Sequence, residues 1–573
     1  MAAAPERRLW PVATVTAAAA NQPPPLAGYD LFAENRPLVE ALEREGAGWA
    51  AERCSGFGRR LGGEPLEWGR LANENPPRLR THDRFGERID EVEFHPAWHE
   101  LLRLSLAHGA HSLSWTEGRG RGAEGVPKSG PGAGGLAAGA SRPGAHVARA
   151  ALFLLASQVE AGHGCPVSMT HAAVPALRAS APELARLWEP ALTSCEYDFG
   201  LRPISEKRGA LCGMAMTERQ GGSDVRANTT TASPLGDGEY LLEGSKWFCS
   251  APMSDAFLVL AQAPGGLSCF LLPRVLGDGT RNALRIERLK DKLGDRSNAS
   301  SEVAFDGALA HLVGEEGRGV RTIVEMVVHT RLDCVLGAAA GMRAAVEQAT
   351  HHAAHRLAFG RRLAEQPLMR NVLADLCLES EAATATALRL ARAYDGRAAG
   401  DEREAAFARI ATALAKYWVC KRGPAHAAEA LECVGGNGYI EESILPRLYR
   451  QQPLLSIWEG SGNVVCLDVL RAVEREPETA VVLLDEIRVA GHAEASAAAE
   501  QALGALDEAG GRAAVERLAL ALQASLLQRH APAAVADAFC ASRLAGEGGL
   551  GYGTLPTGSE LVTIMERHRP LAN

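Results

Sequence analysis

The stretch Gly213-Met214-Ala215-Met216-Thr217-Glu218-Arg219-Gln220-Gly221-Gly222-Ser223-Asp224-Val225-Arg226-Ala227-Asn228 governs how the rest of the chain is read. Gly221 and Gly222 permit torsions and close approaches that a side chain forbids, while Thr217, Ser223 and Asp224 crowd hydroxyls and a carboxylate around them. The segment reads as a loop. On chemistry alone it is either a polar turn between apolar stretches or a donor-lined loop for a planar heteroaromatic ring or a pyrophosphate.

Outward from this loop the hydrophobic period changes. Residues 21–211 read as a helical domain, with Leu38, Leu42 and Trp49 on one face and Leu102 and Leu106 on another. Within it, residues 116–145 are dominated by Gly, Ala, Ser and Pro with almost no large apolar side chain, which predicts a mobile surface insertion. Residues 1–20 read as a disordered leader. Beyond the loop, residues 212–312 read as a β domain, with strands at 240–242, 246–248, 257–262, 268–272 and 301–305. Gly236-Asp237-Gly238, Gly265-Gly266 and Gly277-Asp278-Gly279 supply turns. Residues 313–475 then read as a bundle of amphipathic helices, and 481–573 as an Ala-rich helical extension.

Composition narrows the function. A chain of 573 residues can bury several cores, and 60 Lys+Arg against 69 Asp+Glu give a net charge of −9, no global case for nucleic acid. The 12 cysteines are scattered without Cys-x-x-Cys spacing, which fits reduced thiols in a cytoplasmic protein rather than a disulfide framework. No apolar run is long enough to span a bilayer. His95/His99 and His351/His355 have metal-like spacing but no further ligand, so both pairs read as structural and no metal is expected.

The ordered motifs carry more than any one of them. Met216-Thr217-Glu218 with Gly222-Ser223-Asp224 resembles the flavin loop of the acyl-CoA dehydrogenase superfamily. Lys246-Trp247-Phe248-Cys249-Ser250 resembles the strand lying against the flavin ring, although alone it reads as a core aromatic beside a surface serine. Arg356-Leu357-Ala358-Phe359-Gly360 resembles the motif that reaches the cofactor of a neighbouring subunit. Leu431-Glu432-Cys433-Val434-Gly435-Gly436-Asn437-Gly438-Tyr439 is similar to the turn around the adenine half, with Glu432 where many members carry Gln. Ser456-Ile457-Trp458-Glu459-Gly460-Ser461-Gly462-Asn463 resembles the segment that bears the catalytic base; alone, Trp-Glu-Gly is a helix-start turn.

The resemblance implies an N-terminal helical domain, a middle β-barrel, a C-terminal four-helix bundle, FAD, and an oligomer, a homotetramer. It implies cofactor contacts from Met214, Met216, Thr217, Gly222, Ser223, Phe248, Cys249 and Ser250 in the β domain. From the bundle it implies Arg356, Phe359, Glu432, Gly435, Gly436, Ile457, Trp458, Gly460, Ser461 and Asn463. Glu459 is the implied base for α,β-dehydrogenation of an acyl-CoA thioester, short or branched chains included, and Arg331 the implied substrate contact. Some members place the base just before that arginine, where this chain has Thr330. Nothing in the sequence identifies the electron acceptor.

A narrower resemblance is to AidB-type DNA alkylation response flavoproteins. It rests on Asn21-Gln22-Pro23, Glu45-Gly46-Ala47-Gly48-Trp49, Phe94-His95-Pro96-Ala97-Trp98-His99, Arg288-Leu289-Lys290-Asp291-Lys292-Leu293-Gly294 and Arg296-Ser297-Asn298-Ala299-Ser300. It implies an alternative function, double-stranded DNA binding that limits alkylation damage. The extension speaks against this, because its seven arginines, from Arg488 to Arg569, face eleven acidic residues.

Overall fold

The computed structural model describes residues 21–116 and 142–569; the expected leader and most of the expected insertion lie outside them. The helical N-terminal portion comprises α1 Arg36–Leu42, α2 Ala51–Leu61, α3 Pro65–Glu74, α4 Pro96–Ala107, α5 Leu113–Thr116, α6 Ala145–Val159, α7 Gly164–Ser180 and α8 Pro182–Leu192. Local chemistry sets several starts: the Asn35 side chain accepts from Leu38 N ahead of α1, and His95 Nδ1 accepts from Ala97 N ahead of α4. Leu38, Leu42, Leu102 and Leu106 are buried as their spacing predicts. Trp49 is not on their face. After α1 the chain passes through a π-type turn, Glu43–Ala47, where Gly46 adopts φ 89°, and Trp49 Nε1 donates to Pro143 O. The all-helical expectation also misses an antiparallel ribbon, β1 Arg78–His82 with β2 Arg88–Glu93.

The middle portion contains β3 Cys212–Ala215, β4 Thr231–Gly236, β5 Glu239–Ser250, β6 Ala256–Ala263, β7 Gly266–Pro273, β8 Leu284–Leu289 and β9 Ser300–Val313. Pairings β6–β7, β7–β9, β9–β5, β5–β4 and β4–β6 return to their starting strand, so five strands close a ring; β3 adds to β6 and β8 to β9. Closure removes the open edges such a sheet would otherwise present. The opening stretch of the sequence is therefore strand up to Ala215 and loop only from Met216.

Three long helices carry the rest: α9 Gly319–His355, α10 Pro367–Ala398 and α11 Glu402–Val434, of 37, 32 and 33 residues. Between α9 and α10 lies a minimal hairpin, β10 Leu357–Ala358 and β11 Arg361–Arg362. After α11 come α12 Gly436–Tyr439, α13 Ile444–Leu455 and α14 Gly462–Arg475. The extension supplies α15 Glu478–Arg488, α16 Ala493–Gly504, α17 Gly511–His530, α18 Ala533–Phe539 and α19 Leu561–Glu566. Alanine dominates the buried faces of α9, α10 and α11, which brings helix axes close and lets α9 pack against α6, α7, α10, α11 and α13 at once. Among the described residues no helix is long and apolar enough to cross a membrane.

Candidate active site

The loop after β3 is held by a buried ion pair. Glu218 accepts from Lys246 Nζ at 2.7 Å and from the Thr229 and Thr230 backbone N–H groups. Burial opposes its ionisation, but Lys246 and the N–H donors prevail and bring its pKa down to about 2. Asn228 Nδ2 ties down Met216 O at 2.9 Å, and Trp247 N donates to Thr217 O at 2.8 Å. Gly222 passes so close over Thr217 that a Cβ would stand 2.6 Å from its hydroxyl oxygen, which explains glycine there. Met214 and Met216 pack against an apolar cluster that also receives Trp458, while Gly222 and Ser223 face solvent.

The β5–β9 register slips between Lys246 and Cys249, so the ladder lapses where Trp247 turns to the loop. Phe248 is consequently 50% exposed, with Lys290 Nζ 4.8 Å from its ring. By strand alternation Cys249 points into the barrel core, fully buried, and its carbonyl accepts from Ser301 Oγ. Ser250 lies on the Phe248 face with its Oγ 3.4 Å from Ser300 Oγ, and the Cys165 thiol of α7 is buried. Burial pushes that thiol up to about 12.

Glu459 sits between α13 and α14 at φ 56°, a left-handed backbone unusual for a residue with a side chain. Arg331 Nε donates to its carbonyl at 2.8 Å, and Lys416 Nζ donates to the Gly460 carbonyl. Thr330 Oγ1 donates to Glu459 Oε2 at 2.7 Å. Burial raises the proton affinity of this carboxyl above the ordinary range, while the Thr330 hydroxyl and the charges of Arg331 and Lys416 pull it part of the way back. Arg331 places Nη1 on Asp468 at 2.6 Å and Nε on the Glu459 carbonyl, so it braces the turn. Ile457 is 61% exposed beside Trp458, whose Nε1–H is buried with no acceptor. Ser461 precedes α14 without capping it, and Asn463 Oδ1 accepts from Arg512 of α17 at 2.8 Å. The Arg512 contact is one that sequence reasoning missed.

The remaining segments gather elsewhere on the chain. Arg356 Nη1 donates to Asn21 O at 2.6 Å, and Asn21 exchanges two further hydrogen bonds with Leu357. Gln22 Oε1 accepts from Asn437 at 2.9 Å, in the turn with exposed Glu432, Gly435 and Gly436. The Asn21-Gln22 motif thus stitches the Arg356 hairpin to the glycine turn. Phe359, at φ 51° and 97% exposed, projects from that hairpin. The Lys292 motif is structural: its ammonium caps the carbonyls of Asp295 and Asn298, and Ser297 Oγ binds Glu160 at 2.7 Å. The histidine pairs are structural too: His99 Nδ1 meets the Tyr197 hydroxyl at 2.6 Å, and His351 Nε2 donates to Pro24 O at 2.8 Å.

These residues fit FAD. The half-exposed Phe248, the open Ser223, the uncapped N-terminus of α14 beside an arginine, and the two glycines with nothing within 4 Å of an added Cβ are surfaces that a ring system, a diphosphate and an adenosine would cover.

Comparison with known proteins gives the family. Residues 21–199 match the model described as the adaptive response protein AidB N-terminal domain. Residues 213–308 match the acyl-CoA dehydrogenase middle domain, and 317–474 its C-terminal domain. The chain is 51% identical to AidB of Escherichia coli (strain K12) over 80% of both chains. It is 30% identical to acyl-CoA dehydrogenase family member 11 of Caenorhabditis elegans, over 74% of this chain and 66% of that one. A crystal structure of Caenorhabditis elegans ACDH-11 in complex with C11-CoA superposes with a TM-score of 0.79 at 25% identity, covering 97% of this chain and 94% of that one. Bd2924 in its apo form gives 0.78 at 26% identity, covering 89% and 99%. The chain therefore belongs to the acyl-CoA dehydrogenase family, on its AidB-like branch, and is an FAD-dependent oxidoreductase of that fold.

Proposed function

We propose that this oxidoreductase removes hydrogen from the α and β carbons of an acyl-CoA thioester, with Glu459 as the base. The observation that carries the reading is a buried carboxylate of raised proton affinity, fixed in a strained turn and hydrogen-bonded to Thr330. FAD, when bound, supplies the acceptor for the hydride that leaves the β carbon. Glu459 takes the α proton; Thr330 engages Oε2 and leaves Oε1 for it. Thr217, Ser223, Phe248, Ser250 and Trp458 would hold the flavin ring, and Ser461, Asn463 and Arg512 at the start of α14 the diphosphate. Gly435, Gly436 and Glu432 would hold the adenine half. The exposed Phe359 and the adjacent Arg356 suit a neighbouring copy's cofactor, which supports a homo-oligomer and, by family resemblance, a tetramer. The acyl-CoA ligand of the Caenorhabditis elegans neighbour supports the substrate class.

The test is Glu459→Gln. Turnover of short, branched and long acyl-CoA substrates should fall by about 10²-fold or more, with flavin content unchanged. Turnover equal to wild type would overturn the assignment. A second reading, duplex-DNA binding in a cytoplasmic alkylation response, is favoured by the AidB N-terminal match and opposed by the charge pairing of the extension.

A further inference from the structure

Three histidines that share no motif converge where α6, α7 and α9 meet. His146, His171 and His329 are 3%, 1% and 5% exposed, and one ring nitrogen of each lies within 4.8 Å of one from each of the others. His171 Nδ1–H donates to His111 O at 3.1 Å, which leaves the Nε2 lone pair of that ring to act as an acceptor. His146 Nε2 and His329 Nδ1 are buried with no hydrogen-bond partner, a costly arrangement unless something else occupies them.

The surroundings hold the rings in place. Trp115 stacks on His171 at 4.8 Å, stands edge-on to His146 and His329, and donates its Nε1–H to His171 O at 3.0 Å. Tyr394 flanks His329 at 4.9 Å, its hydroxyl fixed on Val328 O. Burial, reinforced by nearby arginines, pushes His146 down to about 3 and the other two well below the ordinary value, so all three rings are neutral. Those arginines are themselves neutralised: Arg149 by Asp333 at 2.9 Å, Arg178 by Glu189 at 2.8 Å and Arg397 by Glu325 at 2.7 Å.

We propose that His146, His171 and His329 form a binding site for one transition-metal ion, Zn²⁺ by the chemistry of the donors. Three neutral imidazoles without a carboxylate disfavour Mg²⁺ and Ca²⁺ and suit zinc with a water in the fourth position. Tetrahedral Zn–N bonds of about 2.0–2.1 Å place donors about 3.3 Å apart, so from separations within 4.8 Å the rings close by up to about 1.5 Å on binding. The ion would clamp α6 and α7 to α9, one residue from Thr330 and its bond to Glu459.

The experiment uses the full-length, tag-free, flavin-loaded protein, stripped with EDTA and titrated with Zn²⁺ and, as a spectroscopic stand-in, Co²⁺. Wild type should take up about one Zn²⁺ per chain, with a higher Tm and, for Co²⁺, tetrahedral bands to the red of the flavin. His171→Phe and His329→Gln should each weaken Zn²⁺ binding by about 10-fold or more at unchanged flavin content. Less than about 0.1 metal per chain in wild type, or variants that bind as wild type does, would overturn the site. Should the variants fail to fold, the wild-type Co²⁺ spectrum decides alone: tetrahedral nitrogen-ligand bands support the site, and an unchanged flavin spectrum overturns it.

Discussion

Glu459 owes its position to contacts made by its backbone as much as by its carboxylate. A left-handed torsion costs a residue with a side chain about 1–2 kcal/mol, and Arg331 and Lys416 offset it by gripping two successive carbonyls. Thr330 acts on the carboxylate itself: its hydroxyl favours the ionised form, against burial. Thr330→Val removes that bond, so the proton affinity rises further and the acid limb of the kcat/KM profile moves to higher pH. We expect about a 10-fold loss on the acid side that recovers as pH rises, with Thr330→Ser close to wild type. An acid limb that does not move in the valine variant would count against this role. The same shift has a stability consequence. Glu459 holds its proton more tightly folded than unfolded, so stability is lost as pH climbs through the ordinary value toward the raised one. In Tm scans against pH, Glu459→Gln should lack this loss. Glu459 is singled out by the ordered series of motifs, since Trp-Glu-Gly alone reads as a helix-start turn; the bracing contact of Arg331 was not legible because its partner, Asp468, lies far along the chain.

At the scale of elements, the flavin loop depends on Glu218 and Lys246, both buried and each the other's counter-charge. Glu218→Gln leaves an ammonium uncompensated in the barrel and should cost about 3–5 kcal/mol, read as a lower Tm together with flavin loss. Because the folded pKa of Glu218 is depressed, the pair's contribution is full above the ordinary carboxylate value of 4.5 and fades as pH falls from there toward about 2. A variant with wild-type Tm and flavin content would show the loop to be held by other means. The strands of the barrel that could be read in advance are those whose apolar runs are long, such as Ala256–Ala263. The ribbon Arg78–His82 with Arg88–Glu93 could not, because it is largely solvent-exposed and its charged residues give no apolar alternation. The histidine cluster was invisible for a related reason: its members come from three helices, and spacing along the chain reports only neighbours on one.

For the molecule as a whole, the extension is the part whose purpose the charges decide. Arg529 shares Glu486 with Arg389; Arg543 binds Asp375 and Glu379 of α10; Arg567 bridges Glu381 and Glu40; and Arg488 pairs with Glu500. The contacts with Arg389, Asp375, Glu379, Glu381 and Glu40 weld the extension to α10 and α1, and Arg512, Arg517 and Arg569 are left as its arginines without a carboxylate partner among the described residues. Each phosphate neutralised adds about −0.9 to the slope of log K against log salt, so duplex binding through the extension should have a slope no steeper than about −3. Fluorescence anisotropy of a labelled duplex across a salt series measures it directly. Arg543→Ala and Arg567→Ala should lower Tm by breaking buried pairs while leaving that slope unchanged. A slope of about −6 or steeper that these substitutions flatten would mean the pairs open to receive phosphate, and would turn the extension from a brace into a DNA-binding face.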